Sequence, residues 1–377
     1  AATRAAIDVH LPPYGTSQNP VDSTAQGVHK LGYAEFARLV AQSPLIDGVM
    51  VVVTARRSAF LANDQPKLAA LARDTKKPVF MWSYTLPSEK SVEILNEAGY
   101  PLFINADGCA RTMRAMADYR ARRERPPSPK EKSAWTADRA TAGALLKRAG
   151  NVLCEWQARP LLAAYGIVGG DAGTLAQSVA VAEAAARDYG RPMAFKVQSA
   201  DVPHKTEAGA VALNISSMEA PAAYERVLAA AKAYAPHARI EGVLVQPMVA
   251  QGREVILGVN RDPTWGPLLM VGLGGVLVEA LGDVALAPVP LGHDAARALI
   301  GRLKAASVLG AWRGAPPADM DALVELMVRL SHFAADHAED ISEIDLNPVI
   351  VHPQGQGVSL ADALIVKLPA ERRAAAE

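Results

Sequence analysis

The chain has 377 residues, half of them apolar and 21% charged, with 39 basic and 39 acidic side chains and a formal net charge of zero. That length exceeds what one hydrophobic core usually serves, so two or three domains are expected. The neutral balance argues against nucleic acid as a partner, and no apolar run reaches the roughly 18 residues that a membrane helix needs.

From about residue 7 to 120 strand and helix signals alternate. Ile46 to Val53 is a nearly continuous apolar run, the pattern of a parallel strand covered on both faces. Leu68 to Ala72 fits a helix, Pro78 to Trp82 a strand, and Ser88 to Ala98 a helix ended by Gly99. Pro101 to Ile104 is a third strand, followed by a helix containing Met113 to Tyr119. This alternation predicts a doubly wound α/β domain of flavodoxin type over residues 1–120. Residues 120–132 hold six basic and two acidic side chains and three prolines, which builds no core. An exposed linker over 121–145 is therefore expected, ahead of a second domain over 146–377. There Glu155 to Tyr165 reads as a helix kinked at Pro160, Leu175 to Tyr189 as a long alanine-rich helix, and Met193 to Lys196 as a strand. Pro221 to Tyr234 is a helix and Glu241 to Gln246 a strand. Glu254 to Val259 pairs with Pro267 to Val271, two helices follow over 294–304 and 318–338, and strands lie around Ile344 and Val349. This second pattern is α+β.

The two cysteines, Cys109 and Cys154, have no metal-ligand spacing and read as buried small residues of a reduced, cytoplasmic protein. Ala1 to Asp8 lacks the basic and apolar regions of a secretory signal, and the missing initiator methionine suits a processed or truncated product.

Four constellations carry chemistry. Lys196 ends an apolar strand and can point into a cleft as a point charge for nucleotide phosphates, or lie on the surface as a snorkelling lysine. The loop after it presents His204 and Lys205, and an imidazole there can accept a phosphoryl group or pass one on. Gln246, Pro247 and Met248 form an extended hinge whose backbone can read an adenine edge, with Glu254 eight residues past Gln246 to accept ribose hydroxyls. The alternative is simply a strand ending at Pro247. Gly272, Gly274 and Gly275 follow an apolar strand and can form an anion nest, with Glu279 and Asp283 beyond them either holding a metal or solvated. Asp345 and Asn347 fall on one side of a strand by its period of two, and Asp362 follows. Together they form a hard oxygen cluster suited to Mg²⁺, or a polar strand edge entering a turn.

The order and spacing of these signals resemble the ATP-grasp part of the ADP-forming acyl-CoA synthetases, relatives of succinyl-CoA synthetase. The likeness rests on Leu162 to Ile167, Lys196 to Val211, Gly258 to Gly275, Arg313-Gly314 and Glu343 to Pro348. Residues 11–120, with Asn19-Pro-Val-Asp22, resemble that family's second CoA-ligase flavodoxin-like domain. The resemblance implies an enzyme that converts ATP, a small carboxylic acid and coenzyme A into acyl-CoA, ADP and phosphate, through an acyl phosphate and a phosphohistidine. It implies Lys196 for the phosphates of ATP or ADP, Gln246 to Met248 for adenine, and Glu254 for ribose. Asp345, Asn347 and Asp362 would hold Mg²⁺, and His204 would carry phosphate on a swinging loop. No Gly-His-x-Gly segment precedes Asn19, so the chain reads as the nucleotide-handling half, served by a CoA-binding domain or α-type subunit in an oligomer. Ala210 stands where the family usually has glycine, which stiffens the loop base. Two other readings stay open: the ligase-like regulatory region of a protein-lysine acetyltransferase, and a catalytically inactive nucleotide-sensing module.

Overall fold

The computed structural model describes residues 2–124, 135–274, 282–312 and 314–369. The chain divides into two compact units, Ala1–Pro127 and Ser128–Glu377.

The first unit opens with helices α1 (Ala2–Asp8), α2 (Thr24–Leu31) and α3 (Tyr33–Ala41). It continues as β1 (Val49–Val53), α4 (Ala59–Asp74), β2 (Val79–Ser83), α5 (Glu89–Glu97), β3 (Leu102–Phe103) and α6 (Ala106–Glu124). The strands form a parallel sheet in the order β1-β2-β3, as the strand–helix alternation predicts. Val53 and Met81 pack with Leu61, Leu68, Ile94 and Leu95 of the crossover helices into one core. Burying each such side chain contributes about 1.5–3 kcal/mol. The expectation that Ile46–Val53 is covered on both faces is corrected: Met50 is 43% and Val52 44% exposed, so β1 is buried only on its Val49–Val51–Val53 side. Uninterrupted hydrophobicity reports residue type, not coverage. The charged start of the expected linker is also corrected. Residues 120–124 complete α6, where Arg114–Asp118 and Arg120–Glu124 pair at one-turn spacing. The rest of the proline-rich stretch, 125–134, lies outside the described residues.

The second unit begins with α7 (Arg139–Arg148), which occupies part of the span expected as linker. Then come β4 (Val152–Leu153), α8 (Glu155–Ala163), β5 (Thr174–Ala176), α9 (Val179–Tyr189), β6 (Met193–Gln198), β7 (Val211–Ile215), α10 (Ala220–Tyr234) and β8 (Gly242–Pro247). The chain continues through β9 (Arg253–Asp262), β10 (Gly266–Leu273), β11 (Val284–Pro288), α12 (His293–Ile300), α13 (Met320–Asp336), β12 (Ile341–Val351), β13 (Val358–Leu360) and β14 (Leu364–Lys367). One continuous helix over 175–189 is not formed. Thr174–Ala176 pairs with β8, and Ser178 starts α9 by accepting the Val181 N–H.

Two sheets result. The smaller has the order β5-β8-β6-β7, and α9 and α10 pack on one of its faces through Phe195, Val197, Val243 and Val245. Period-two alternation turns Lys196, Leu244 and Gln246 to the other face. The larger runs β11-β10-β9-β12-β14-β4, with β13 on β12. Its core face carries Val255, Leu257, Leu269, Val271 and Leu346, packed against Leu323, Met327 and Phe333 of α13. The opposite, open face therefore carries Glu254, Gly258, Met270, Gly272 and Asp345. The antiparallel registers Gly258↔Met270 and Asp345↔Gly258 set those residues side by side.

Candidate functional site

Glu155 is the first residue of α8 and fully buried, a position that an isolated carboxylate does not occupy. Three groups compensate it. Arg159, one turn on, donates to Oε1 from Nε at 3.0 Å and Nη2 at 2.8 Å; Lys196 Nζ donates to Oε2 at 3.0 Å; Gln246 Nε2 donates to Oε1 at 2.9 Å. Lys196 also donates to Gln246 Oε1 at 2.7 Å and to the Ala361 carbonyl. The helix start, both central strands of the small sheet and the β13–β14 turn thus meet at one buried ammonium.

Beside it stands a second buried cation. Lys205 Nζ donates to both oxygens of Asp362, at 2.9 and 2.7 Å. Burial raises the Asp362 pKa, but the ammoniums of Lys205 and Lys196 outweigh it and hold the carboxyl below its ordinary range. Asp345 goes the other way. Burial, then the carboxylates of Asp362 and Glu343, push it up to about 6, with Lys205 and His204 opposing. His204 is exposed at the loop tip while Val202, Lys205 and Ala210 are buried beneath it. The Ala210 N–H donates to the Lys205 carbonyl at 2.8 Å, and Gly209 adopts φ +61° to make that turn.

The sequence-predicted residues divide accordingly. Lys196, Gln246, Asp345, Asp362 and the His204 loop come together. Glu254, Gly272 and Gly274 share the open face with Asp345. Gly274 lies against Glu254, whose carbonyl accepts its N–H at 2.7 Å; a Cβ there would sit 2.7 Å from the Glu254 Cβ. Glu254 lies four residues along β9 from the neighbour of Asp345, roughly 13 Å away. The Met248 N–H donates to Pro192 O, so the hinge has that group engaged within its own lobe. Pro247 closes β8. Asn347 is exposed in a bulge between Leu346 and Val349, which ends the simple alternation that relates it to Asp345. Gly275, Glu279 and Arg313 lie outside the described residues. Asp283 is neither solvated nor placed for a metal: its oxygens accept the N–H groups of Lys304 and Ala305, both at 2.9 Å, which depress its pKa. His337 is buried against Tyr165 and Phe333, with Nε2 3.2 Å from the Tyr165 hydroxyl.

Sequence reasoning passed over Glu155 and Arg159, whose signal is a Glu/Arg pair one turn apart on a helix whose other residues, apart from Gln157, are apolar. It also gave Lys205 no task of its own. Cys109 and Cys154 are free and buried; burial and the Glu241 carboxylate push the Cys154 thiol up to about 12. Among the described residues no three His, Cys, Asp or Glu side chains are placed to hold a metal ion, and no helix is long and apolar enough to cross a membrane. Two cavities flank the cluster. One of about 310 Å³ is walled by Trp156, Arg159, Ile167, Leu175 and Leu244. The other, about 420 Å³, lies on the open face beside Asp345, Glu343, Gly258 and Met270.

Two α+β lobes with helices outward and a charged, buried cluster where they meet define the ATP-grasp class of fold. An ATP-grasp domain model matches residues 144–366. The β subunit of acetate–CoA ligase (ADP-forming) II from Pyrococcus furiosus is 38% identical over 223 residues, 59% of this chain and 94% of the relative. The 4-hydroxybutyrate–CoA ligase (ADP-forming) from Nitrosopumilus maritimus is 31% identical over 376 residues, 96% of this chain and 52% of that protein. Among solved structures, acetyl-coenzyme A synthetase 1 of Ca. Korarchaeum cryptofilum, in complex with coenzyme A, Ca-AMPCP and HgCl⁺, superposes with a TM-score of 0.57. It is 36% identical, over 60% of this chain and 100% of that one. The chain belongs to the ATP-grasp family of ADP-forming acyl-CoA ligases, and it spans about half the length of the 4-hydroxybutyrate ligase.

Proposed function

We propose that this chain handles the nucleotide for an ADP-forming acyl-CoA ligase, which converts ATP, a carboxylic acid and coenzyme A into acyl-CoA, ADP and phosphate. The observation that carries this reading is the meeting of Lys196, from the open face of the small sheet, with the Ala361 carbonyl and the Asp362 carboxylate of the large-sheet lobe, where Asp345 lies beside Asp362. A strand lysine opposite paired carboxylates suits a polyphosphate: the lysine balances phosphate charge, and the carboxylates require a cation. The donor set fits Mg²⁺. Burial first, and then the carboxylates of Asp362 and Glu343, push Asp345 up, and carboxylate oxygens are hard ligands. Bound there with phosphate oxygens completing its coordination, such a cation would neutralise charge on the transferring phosphoryl group.

The cavity walled by Trp156, Leu175 and Leu244 has the apolar lining a purine ring requires, and Arg159 sits at its edge. Pro247 and Met248 remain candidates for the adenine edge through their carbonyls, Glu254 for ribose, and Gly272, Gly274 and Gly275 for phosphate. The exposed imidazole of His204 is the candidate nucleophile. Its ring nitrogen forms a bond to the γ-phosphorus while the bond to the bridging oxygen of ADP breaks, and ADP leaves with the electron pair. The phosphoryl group then passes to a CoA-binding partner domain or α-type subunit, where the acid is activated as its acyl phosphate.

Calorimetric titration with ADP and with ATP, each with Mg²⁺, tests the reading. Binding with a Kd on the order of micromolar is expected, and Lys196→Ala should weaken it roughly 10- to 100-fold, the value of a charge-assisted contact. Wild-type protein that takes up neither nucleotide, or a variant that binds as well, would overturn it. Tight ADP binding with no phosphorylated His204, even with the partner supplied, would identify a nucleotide-sensing module instead.

A further inference from the structure

Lys205 has no part in the reaction described above, yet it makes a notable contact. Its side chain is 4% exposed and donates to both oxygens of Asp362. Among the described residues this is the one hydrogen-bonded link from the loop 199–210 to the lobe of the large sheet. Ser199 and Asp201 bond instead to Arg239 of the small-sheet lobe, through the Arg239 carbonyl and N–H. His204, next in sequence, has no such anchor and stands exposed.

We propose that Lys205 is the latch of the His204 loop, and that its ammonium and a divalent cation are alternative partners of Asp362. This rests on the reading of Asp345 and Asp362 as cation ligands. The Lys205 ammonium, bonded to both oxygens of Asp362 and close to Asp345, supplies the charge balance that these two carboxylates need when no divalent ion is present. A half-buried carboxylate that already gives both oxygens to an ammonium has none to offer a metal. A divalent ion at the same carboxylate would repel the ammonium at close range. By linkage, whatever factor Lys205 removes from cation affinity, the cation must remove from the latch. Cation binding therefore unlatches the loop and frees His204 to move. Lys205 is a positioning residue in this scheme. Ala210 in place of a more pliant glycine fits it: the loop pivots on a stiff base and its outer part is held by one releasable contact.

The test is hydrogen exchange of peptides spanning 200–209, with and without saturating Mn²⁺, together with Mn²⁺ titration by electron paramagnetic resonance. Wild type, Lys205→Met, Lys205→Arg, Asp345→Asn and Asp362→Asn are compared. Wild type should be protected without metal, and Mn²⁺ should speed its exchange about fivefold or more, the lower end of typical coupling. Lys205→Met should exchange fast without metal, ignore added Mn²⁺, and bind Mn²⁺ at least about fivefold more tightly. Lys205→Arg, whose guanidinium can still hold both oxygens, should restore the protection. Unchanged loop exchange in wild type saturated with Mn²⁺, or a Lys205→Met variant indistinguishable from wild type, overturns the latch. Mn²⁺ binding that survives both Asp345→Asn and Asp362→Asn overturns the cation reading and the competition with it. Fast metal-free exchange in Lys205→Met would then still establish the tether.

Discussion

Glu155→Gln is the sharpest probe of what holds the two lobes of the second unit together. The carboxylate is fully buried and faces four donor atoms: two from Arg159, one from Lys196 and one from Gln246, all within 3.0 Å. An amide of the same shape keeps one acceptor oxygen, turns two N–H donors toward groups that are themselves donors, and removes the charge that neutralises two cations. Breaking a buried pair in this way costs about 3–5 kcal/mol, far above a surface pair, because the remaining charge is left without compensation. For a unit of this size the melting temperature should fall by roughly 6–20 °C. Urea unfolding followed by circular dichroism measures it, and a cycle with Lys196→Met isolates the pair. Removing both partners should cost less than the sum of the singles by at least about 1.5 kcal/mol. A Glu155→Gln cost under about 1 kcal/mol, or strict additivity with Lys196→Met, would refute the idea that this cluster is a mutually compensated unit.

Asp345 gives a pH signature. Its folded pKa of about 6 lies above its ordinary 3.8, so the native state binds the extra proton between those values. Its contribution to stability is present below the lower value and lost as pH rises through the upper one. Asp345→Asn should abolish that decline between about pH 4 and 6; an unchanged slope counts against the shift. Asp319 caps α13 through the Ala322 N–H and clamps the β12–β13 turn through Gly355 and Gly357, both at 2.9 Å. Asp319→Ala should cost about 3 kcal/mol in urea unfolding, and a loss below about 1 kcal/mol would mean that water replaces those bonds. Gly173 has φ +79°, and a Cβ there would lie 2.3 Å from Gln246 Cγ and 2.9 Å from the Val245 carbonyl. Gly173→Ala should lose at least about 2 kcal/mol of stability and weaken ADP binding, as calorimetry would show; normal behaviour in both would mean the loop over Gln246 yields.

Local rules fixed a good deal of this protein in advance. Strand–helix alternation in the first unit, the strand that carries Lys196, though it runs on to Gln198, the Glu254–Val259 and Pro267–Val271 pairing and the long amphipathic α13 all follow from periodicity, because side chains repeat every 2 or 3.6 residues whatever the rest of the chain does. Order and spacing also carried the family resemblance, since the site's parts sit at strand ends that the topology must bring to one place. Other features depend on neighbours distant in sequence. The exposed side of β1 and the short strand before α9 were decided by what packs or pairs against them. Only the tertiary structure joined Glu155 to Lys196 across 41 residues and Lys205 to Asp362 across 157. The physical reason is that a charge on a single strand or helix carries no sign of its partner. Burial creates the demand for compensation, and which opposite charge meets it depends on how the two sheets come together.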